Sequence, residues 1–167
     1  MGADRQPASL VPELDVTELP RSLAFYVGTV GFTLVFERPA ERFAYLAMNG
    51  AEVMLQEANG PGRRFRTAPL ERPFGRGINL QILVPDVDAT YAAVRALGLE
   101  PVVPLEERWY DVDVVTPSGR WESAGSMKAG NRQFVVADPD GYLLRFYTSL
   151  GVTPTEGASP HGRRPDS

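Results

Sequence analysis

The chain has 167 residues, of which 43% are hydrophobic and 23% are charged, and its formal net charge at pH 7 is -4. This composition is typical of a globular protein with one full core or two small modules, and the weak negative charge argues against a nucleic-acid-binding surface. The chain contains no cysteine, which excludes disulfides, thiolate nucleophiles and cysteine metal sites. No apolar run approaches the roughly 18 residues of a membrane span, and the N-terminus lacks a signal-peptide pattern. We therefore expect a cytoplasmic protein.

The only histidine is His161. It belongs to a C-terminal stretch, 151–167, whose Pro, Gly, Ser and charged residues predict a disordered tail. The rest of the chain then has no imidazole, on which general-base catalysis near neutral pH and transition-metal binding most often depend. An active site would have to use carboxylates, Arg, Lys128 or Tyr. This removes the commonest routes to catalysis without forbidding a reaction.

A first module is predicted over residues 10–57, after a flexible N-terminal tail at 1–9. Its first strand, 10–16, leads into a helix for which Thr17 is the expected N-cap and Gly31 the expected stop. Three strand-like runs follow, FTLVFE, RFAYLAM and AEVMLQE, and the Asn-Gly pair between the last two is a strong hairpin signal. The order is βαβββ. The predicted buried face of the helix comprises Leu19, Leu23, Val27 and Val30.

Residues 58–77, rich in Gly, Pro and Arg, are predicted to be a linker, after which the pattern restarts over 78–150. INLQILVP predicts a strand and Asp86 is a good N-cap. Four strand-like runs follow, EPVVPL, ERWYDVDVVT, NRQFVVA and YLLRFYT, one more than in the first half, and we again interpret the order as βαβββ. Between ERWYDVDVVT and NRQFVVA lies a long loop, 117–130, which is either a lid over a site or disordered. The predicted face of the second helix comprises Val87, Tyr91, Val94 and Leu97.

The two halves are similar to each other, since LDVTELPRSLAFY aligns with ILVPDVDATYAAV. With RSLAFYVGTVGF after the first strand, DVDATYAAVRALG after the fifth and FVVADPDGYLLRFY at the end, the chain resembles the glyoxalase, bleomycin-resistance and extradiol-dioxygenase superfamily. The resemblance covers about Leu10 to Leu150, and the DPDGY ending is its most specific element. It implies an α+β fold in which two βαβββ modules form a cup-shaped mixed sheet, and it implies a homodimer.

Enzymes of that superfamily hold a divalent metal through four side chains, typically His or Glu, one on each of four cup-lining strands. Carried over to this sequence, the four ligand positions fall on Val11, Met54, Asn79 and Arg145. None of these is a competent ligand for a catalytic metal, and a guanidinium repels a cation. The resemblance therefore implies no metal, no cofactor and no catalytic residue, as in the metal-free binders of the family.

The alternation of side chains along a strand leads to the same cup. Leu80, Ile82 and Val84 share the face that would pack on a helix, whereas Asn79 and Gln81 share the other. Amides mixed with Met, Tyr and one Glu–Arg pair suit a polar-lined pocket, and the alternative is an ordinary solvated sheet face. The predicted pocket face gathers Glu13, Met54, Gln56, Asn79, Gln81, Arg145 and Tyr147.

Three aromatic residues, Trp109, Tyr110 and Trp121, either stack on flat rings of a ligand or serve as ordinary packing and interface aromatics. We include them in the predicted binding site. The nearby carboxylates Glu106, Glu107, Asp111 and Asp113 are expected to form an acidic surface stretch.

These observations predict a metal-free protein that binds and sequesters a planar or cationic antibiotic or natural product without modifying it. The alternative is a superfamily enzyme of glyoxalase, lyase, isomerase or dioxygenase type, either metal-free with Glu13 as base or with relocated ligands such as Glu13 and Gln56. A third reading is a structural or regulatory module whose cup is vestigial. The expected partners are a small molecule and a second copy of the chain, with no nucleic acid and no membrane.

Overall fold

Two four-stranded sheets with the same strand order make up the fold. The computed structural model describes residues 6–112 and 127–155, and within them the first sheet has the order β1-β4-β3-β2 and the second the order β5-β8-β7-β6. The elements in chain order are β1 (Glu13–Val16), α1 (Leu19–Phe25), a π-helical turn (Tyr26–Val30), β2 (Thr33–Arg38), a 3-10 turn (Pro39–Glu41), β3 (Phe43–Met48), β4 (Ala51–Glu57), β5 (Asn79–Leu83), α2 (Val87–Ala96), β6 (Val103–Val112), β7 (Met127–Ala137) and β8 (Leu143–Pro154).

Each sheet begins with a parallel pair, β1 beside β4 and β5 beside β8, and all other neighbours are antiparallel. A parallel pair requires a crossover connection, and the helix after β1 or β5 is part of it. The predicted α+β class with two βαβββ modules is therefore confirmed. The hairpin between β3 and β4 also turns at Asn49 and Gly50, which have the positive φ values of 48° and 84° that this short turn needs.

One face of each sheet packs on the helices, and the two packed faces share a single core. Leu55 of the first sheet and Leu144 and Phe146 of the second are fully buried. The ring of Tyr91 on α2 meets that of Phe134 on β7 edge to face at 5.2 Å. The predicted division of Leu80, Ile82 and Val84 from their neighbours is confirmed, since Ile82 and Val84 are buried and Leu80 packs against the core.

The first helix departs from its predicted face. Its buried residues are Leu19, Ser22 and Phe25, continued by Tyr26 and Val30 in the π-helical turn. Because a π-helical turn contains more residues than an α-helical one, the residues that follow are rotated about the axis. The predicted face was therefore wrong at Val27, which is 36% exposed, whereas Leu23 is partly buried and packs against the core as predicted.

The start of α1 also differs from the prediction. Glu18 holds the N-cap position, and the carboxylate of Glu57 accepts a hydrogen bond from the Leu19 amide at 3.1 Å. Thr17, the predicted cap, instead donates both its amide and its hydroxyl to Asp140 of the second module. The end is as predicted, because Gly31 takes a left-handed φ of 97°.

In the second module Asp86 caps α2 as predicted, accepting the Ala89 amide at 2.9 Å. Leu97 lies beyond the last helical residue and is 57% exposed, so it is not part of the buried face. The runs EPVVPL and ERWYDVDVVT, predicted as two strands, belong to one strand with a register shift between Val103 and Glu106. Strand β7 already begins inside the predicted loop, and β8 continues into the predicted tail. None of the helices described is long and apolar enough to cross a membrane.

The turn between β7 and β8 ties the two modules together. Asp138 accepts the hydroxyl of Tyr26 at 3.0 Å and three amides of its own turn at 2.8–2.9 Å. The Asp140 carboxylate accepts a hydrogen bond from the guanidinium of Arg72 in the linker at 2.6 Å, and the Tyr142 hydroxyl donates to the Asp15 carbonyl at 3.1 Å. Burial raises the pKa of Asp138, and burial beside Asp138 raises that of Tyr26.

Candidate functional site

The face of each sheet turned away from the helices forms the candidate site. In the first sheet, cross-strand pairing puts Phe36, Tyr45, Met54 and Glu13 in one row, with Arg38, Phe43, Gln56 and Asp15 beside it; we call this surface the aromatic face. In the second sheet, one row contains Gln81, Arg145 and Val135 and the next contains Leu83, Tyr147, Gln133 and Glu106; we call this surface the Arg145 face.

A stack of rings dominates the aromatic face. The ring of Phe36 lies nearly parallel to that of Tyr45, with centroids 4.9 Å apart, and 6.1 Å from that of Phe43. The guanidinium of Arg38 lies 3.9 Å above the Phe43 ring. Phe43 and Tyr45 are buried, whereas Phe36 is 40% exposed. This face therefore offers one accessible ring on a rigid aromatic support, an arrangement suited to stacking on a flat ligand.

The linker covers one end of the aromatic face. Arg66 holds both carboxylate oxygens of Asp15 at 2.9 and 2.8 Å, and Gly62 lies so close to Gln56 that an added Cβ would be 3.0 Å from its amide oxygen. Gln56 is 1% exposed and donates to the carbonyls of Glu41 and Arg42. The predicted ligand contact of Gln56 is therefore wrong, because its side chain lies under the linker.

Arg145 is the centre of the second face. Its Nε donates to the amide oxygen of Gln133 at 2.9 Å, and one terminal nitrogen donates to the Tyr110 hydroxyl at 2.5 Å. The guanidinium lies 5.5 Å from the centroid of the Tyr110 ring. Gln133 is buried and donates in turn to Glu106 and to Tyr110, each at 3.1 Å. Three strands thus fix the direction of one guanidinium.

Glu13 and Arg145 do not form the predicted pair. Glu13 lies on the edge strand of the first sheet, where it borders a small groove with Asp15 and Arg64. Arg145 lies in the middle of the other sheet and is bonded to Gln133 and Tyr110. The predicted pocket face is therefore two faces, because alternation tells which side of a strand a residue occupies but not which sheet the strand joins.

The remaining predicted residues of the two sheets keep their predicted sides. Met54 is part of the aromatic face between Glu13 and Tyr45. Gln81 pairs with Arg145 and is exposed, and Tyr147, opposite Gln133, is half-buried. Asn79 and Gln81 also border a mainly apolar pocket of about 240 Å³ between the two sheets, together with Leu10, Val53 and Ile82.

The three predicted aromatics do not lie together. Tyr110 is on the Arg145 face, but its neighbour Trp109 points to the other side of β6, with its ring against Gly130. That side also carries Glu107, whose partner Arg132 bonds Asp88 of α2 at 2.6 and 2.8 Å. Trp109 is therefore on the helix side, and its predicted place in the groove is wrong. Trp121, Asp113 and most of the predicted lid loop lie outside the described residues.

Phe36, Phe43, Tyr45 and Gln133 were missed by the sequence analysis. Alternation along RFAYLAM and NRQFVVA would have put Phe43, Tyr45 and Gln133 on the outer faces. Phe36 is different, because the register shifts between Leu34 and Phe36. Such a bulge changes which side a residue faces, and no sequence signal announces it.

The residues at the positions where superfamily enzymes bind metal do not fit a divalent cation. Met54 offers a thioether, Asn79 an amide, and Arg145 a fixed positive charge, while Val11 offers no donor. Hard divalent cations prefer carboxylate and carbonyl oxygens, and zinc and its neighbours prefer imidazole, thiolate or carboxylate. Among the described residues no three His, Cys, Asp or Glu side chains are grouped for a metal.

Comparison with known proteins identifies the family. Residues 12–146 match the model of the Glyoxalase/Bleomycin resistance protein/Dioxygenase superfamily. The chain belongs to this superfamily. It is 29% identical over 147 residues to the bleomycin resistance proteins of Geobacillus stearothermophilus and Staphylococcus aureus (strain MRSA252), covering 84% of this chain and 96% of each relative.

Solved structures of similar fold support the architecture. TioX from Micromonospora sp. ML1 is 26% identical, with a TM-score of 0.56, and the match covers 84% of this chain and 98% of TioX. The virulence protein STM3117 from Salmonella typhimurium is 16% identical, with a TM-score of 0.58 and coverage of 90% and 100%. At that identity the second likeness concerns the fold alone.

Proposed function

We propose that this protein is a cytoplasmic, metal-free homodimer that sequesters an antibiotic or a similar natural product and does not modify it. The observation that carries the proposal is the aromatic face, where the exposed Phe36 ring rests on Tyr45 and Phe43. Its relatives with the printed name bleomycin resistance protein support the same class of ligand. The donor set at the superfamily's metal positions speaks against the metal-dependent chemistry of its enzymes.

The proposed dimer completes the binding groove. Each outer face is a single sheet and encloses a ligand from one side only, whereas small-molecule sites bury most of the ligand surface. A second copy of the chain would supply the opposite wall. Leu83, an exposed apolar side chain on the Arg145 face, is consistent with contact of this kind.

Binding is tested by calorimetric titration of the purified chain with bleomycin and a panel of planar antibiotics, followed by mass spectrometry of the recovered ligand. We expect saturable binding and an unaltered ligand. Since an aromatic pair contributes about 0.5–1.5 kcal/mol beyond area burial, Phe36→Ala should weaken binding several-fold to tenfold. Trp109→Ala is the matched control, because it removes an aromatic of similar exposure, 39%, from the helix side.

Three results would count against this proposal. If Phe36→Ala and Trp109→Ala lower the ligand affinity equally, the aromatic face is not the binding surface. A chemically changed ligand would move the chain to the enzymes of the superfamily. A complete lack of response to the panel at high micromolar concentration would leave the third reading, a module that binds no such molecule.

A further inference from the structure

Arg145 is oriented before any ligand binds. Its Nε and one terminal nitrogen donate to Gln133, and a terminal nitrogen also donates to the Tyr110 hydroxyl. Gln133 cannot turn away freely, because it is buried and its amide nitrogen is bonded to Glu106. A ligand that meets this guanidinium therefore finds it already held in place, which lowers the entropic cost of binding.

The acceptors that hold Arg145 are neutral. Several other arginines are paired with carboxylates, as Arg66 is with Asp15 and Arg132 with Asp88. Over 6–112 and 127–155, by contrast, no carboxylate oxygen comes within 4 Å of the Arg145 guanidinium. A half-buried cation without a counter-charge is costly, and neutral acceptors fix its direction without cancelling its charge. The face thus presents an oriented guanidinium that makes no direct ion pair with a described residue, while Glu106, which accepts a hydrogen bond from Gln133, adds a negative charge to the same face.

The first module has no equivalent of this charge. In the aligned repeat Glu13 corresponds to Gln81, and each residue pairs with the neighbouring central strand of its own sheet. Glu13 pairs with Met54, whereas Gln81 pairs with Arg145. The charge is therefore not a requirement of the module fold, which both halves satisfy. It is a particular property of the second outer face.

We infer that the ligand of this protein carries an oxyanion, such as a carboxylate, sulfonate or phosphate, that binds Arg145. The inference rests on the proposed binding function and specifies its ligand class. Nη1 of Arg145 makes none of the bonds described above, so it can donate to an oxygen of such a group, and charge-assisted hydrogen bonds of this kind are stronger than neutral ones. A cationic group at this face would be repelled, so the inference also replaces the sequence-based expectation of a cationic ligand.

The test compares probes that share one ring and differ in charge. The full chain is titrated calorimetrically with 2-naphthoate, naphthalene-2-sulfonate, 2-naphthyl phosphate, neutral 2-naphthamide and cationic 2-naphthylmethylammonium at equal ionic strength. We expect the anions to bind about tenfold tighter than the amide, in line with charge-assisted hydrogen bonding, and the ammonium to bind most weakly. The three anions distinguish carboxylate from sulfur and phosphorus oxyanions. High salt should reduce the preference, since it screens partly exposed charges.

Arg145→Gln should bring the affinity ratio of naphthoate to naphthamide to within about twofold. Arg145→Lys keeps the charge and loses the fork, so its ratio should be intermediate. The control Arg21→Gln removes one exposed positive charge from α1 and should leave the ratio unchanged. Thermal unfolding verifies that each variant is folded, and the lysine variant decides the matter if the glutamine variant is not.

The outcomes distinguish a failure of the oxyanion inference from a failure of the proposed binding function. If naphthamide binds as tightly as naphthoate, or if Arg145→Gln keeps the anion preference, the oxyanion inference is wrong while ring binding stands. If none of the naphthalene probes binds, both the inference and the proposed binding function are contradicted. An anion preference lost equally in Arg21→Gln would show a general charge effect and would also overturn the role of Arg145.

Discussion

The two modules share strand order and pairing but differ on their outer faces. Toward the helices both are apolar, and both contribute fully buried side chains, such as Leu46 and Phe134, to one core. Toward the outside the first carries stacked rings around Phe36, whereas the second carries amides and the guanidinium of Arg145. The packed side must fill a fixed volume. The outer side has no such constraint, so its side chains can differ between the modules according to the ligand that each face contacts.

The final turns of the modules differ in the same way. In the first module β3 and β4 are joined by Asn49 and Gly50, both exposed. In the second, the turn after β7 is buried, and Asp138 bonds the Tyr26 hydroxyl of the first module. The first turn makes one exposed hydrogen bond to the second module, from Asn49 Nδ2 to the Leu83 carbonyl at 3.3 Å, whereas the second turn holds the modules together through buried contacts. Equivalent turns in the two modules thus have different structural roles.

The largest effect should come from breaking the buried turn. Asp138→Ala removes the acceptor of three turn amides and leaves the buried Tyr26 hydroxyl without its partner, so we expect a loss of about 3 kcal/mol of unfolding free energy. Asn49→Ala, in the exposed turn, should cost about 1 kcal/mol, because alanine tolerates a positive φ less well and loses the exposed hydrogen bond to the Leu83 carbonyl. Urea denaturation measures both values. Equal losses at the two turns would contradict the proposed difference in duty.

Much of the fold follows from local signals in the sequence. The Asn-Gly turn, the Asp86 cap and the alternation along β5 and β8 are short-range, and each was predicted correctly. The predictions fail where an extra residue in a helix or strand changes the side that the following side chains face. The π-helical turn rotates Val27 outward, and the bulge before Phe36 reverses the expected side of that strand. Both irregularities depend on tertiary packing and cannot be predicted from the periodicity of the sequence alone.

The site was predicted in part. Gln81, Arg145 and Tyr147 lie on one face because β5 and β8 pair without a register shift, so their side chains alternate regularly. The predicted partner of Arg145 was wrong, since Glu13 belongs to the other sheet and the actual partner, Gln133, lies on the neighbouring strand β7, a pairing that alternation along one strand does not reveal. Burial under a linker, as at Gln56, depends on a long-range contact and has no local signal.

A mixed dimer tests whether the two faces work together across copies. Light scattering should first show a dimer, and a monomer at micromolar concentration would contradict the proposal. Phe36→Ala damages the aromatic face and Arg145→Gln the other face. If each groove joins the aromatic face of one copy to the Arg145 face of the other, a dimer of the two variants contains one doubly damaged groove and one intact groove.

The readout of that experiment is the affinity for 2-naphthoate, measured on mixed dimers purified through two different tags. We expect half of the sites to bind with the affinity of the unsubstituted protein and the rest more than tenfold more weakly, since losses at separate contacts add. Each variant homodimer should show only weakened sites. If the mixed dimer has no site of unsubstituted affinity, both faces of a groove come from the same copy.

The smallest expected effect is on the pH dependence of stability, to which two carboxylates, Glu57 and Asp138, contribute with opposite signs. Glu57 accepts the Leu19 amide at the start of α1 and pairs with Arg42, and these contacts lower its pKa, the Leu19 bond most of all. A lowered folded pKa contributes stability above the unfolded pKa, and this contribution is lost as the pH falls through the folded pKa. Burial raises the pKa of Asp138, so its contribution is full below the unfolded pKa and is lost as the pH rises.

The corresponding glutamine and asparagine variants should therefore change the pH dependence of stability in opposite directions. Glu57→Gln should lose about 0.5–1 kcal/mol at neutral pH, as for removal of a helix cap, and should converge with the unsubstituted chain in acid. Asp138→Asn keeps an oxygen for the turn amides but no longer titrates, so relative to the unsubstituted chain its stability should improve as the pH rises from the acid range. Urea denaturation between about pH 2 and pH 7 spans both transitions. Parallel curves for the two variants would show that the carboxylates do not differ in this way, and that the buried turn of the second module is set by shape rather than by the charge of Asp138.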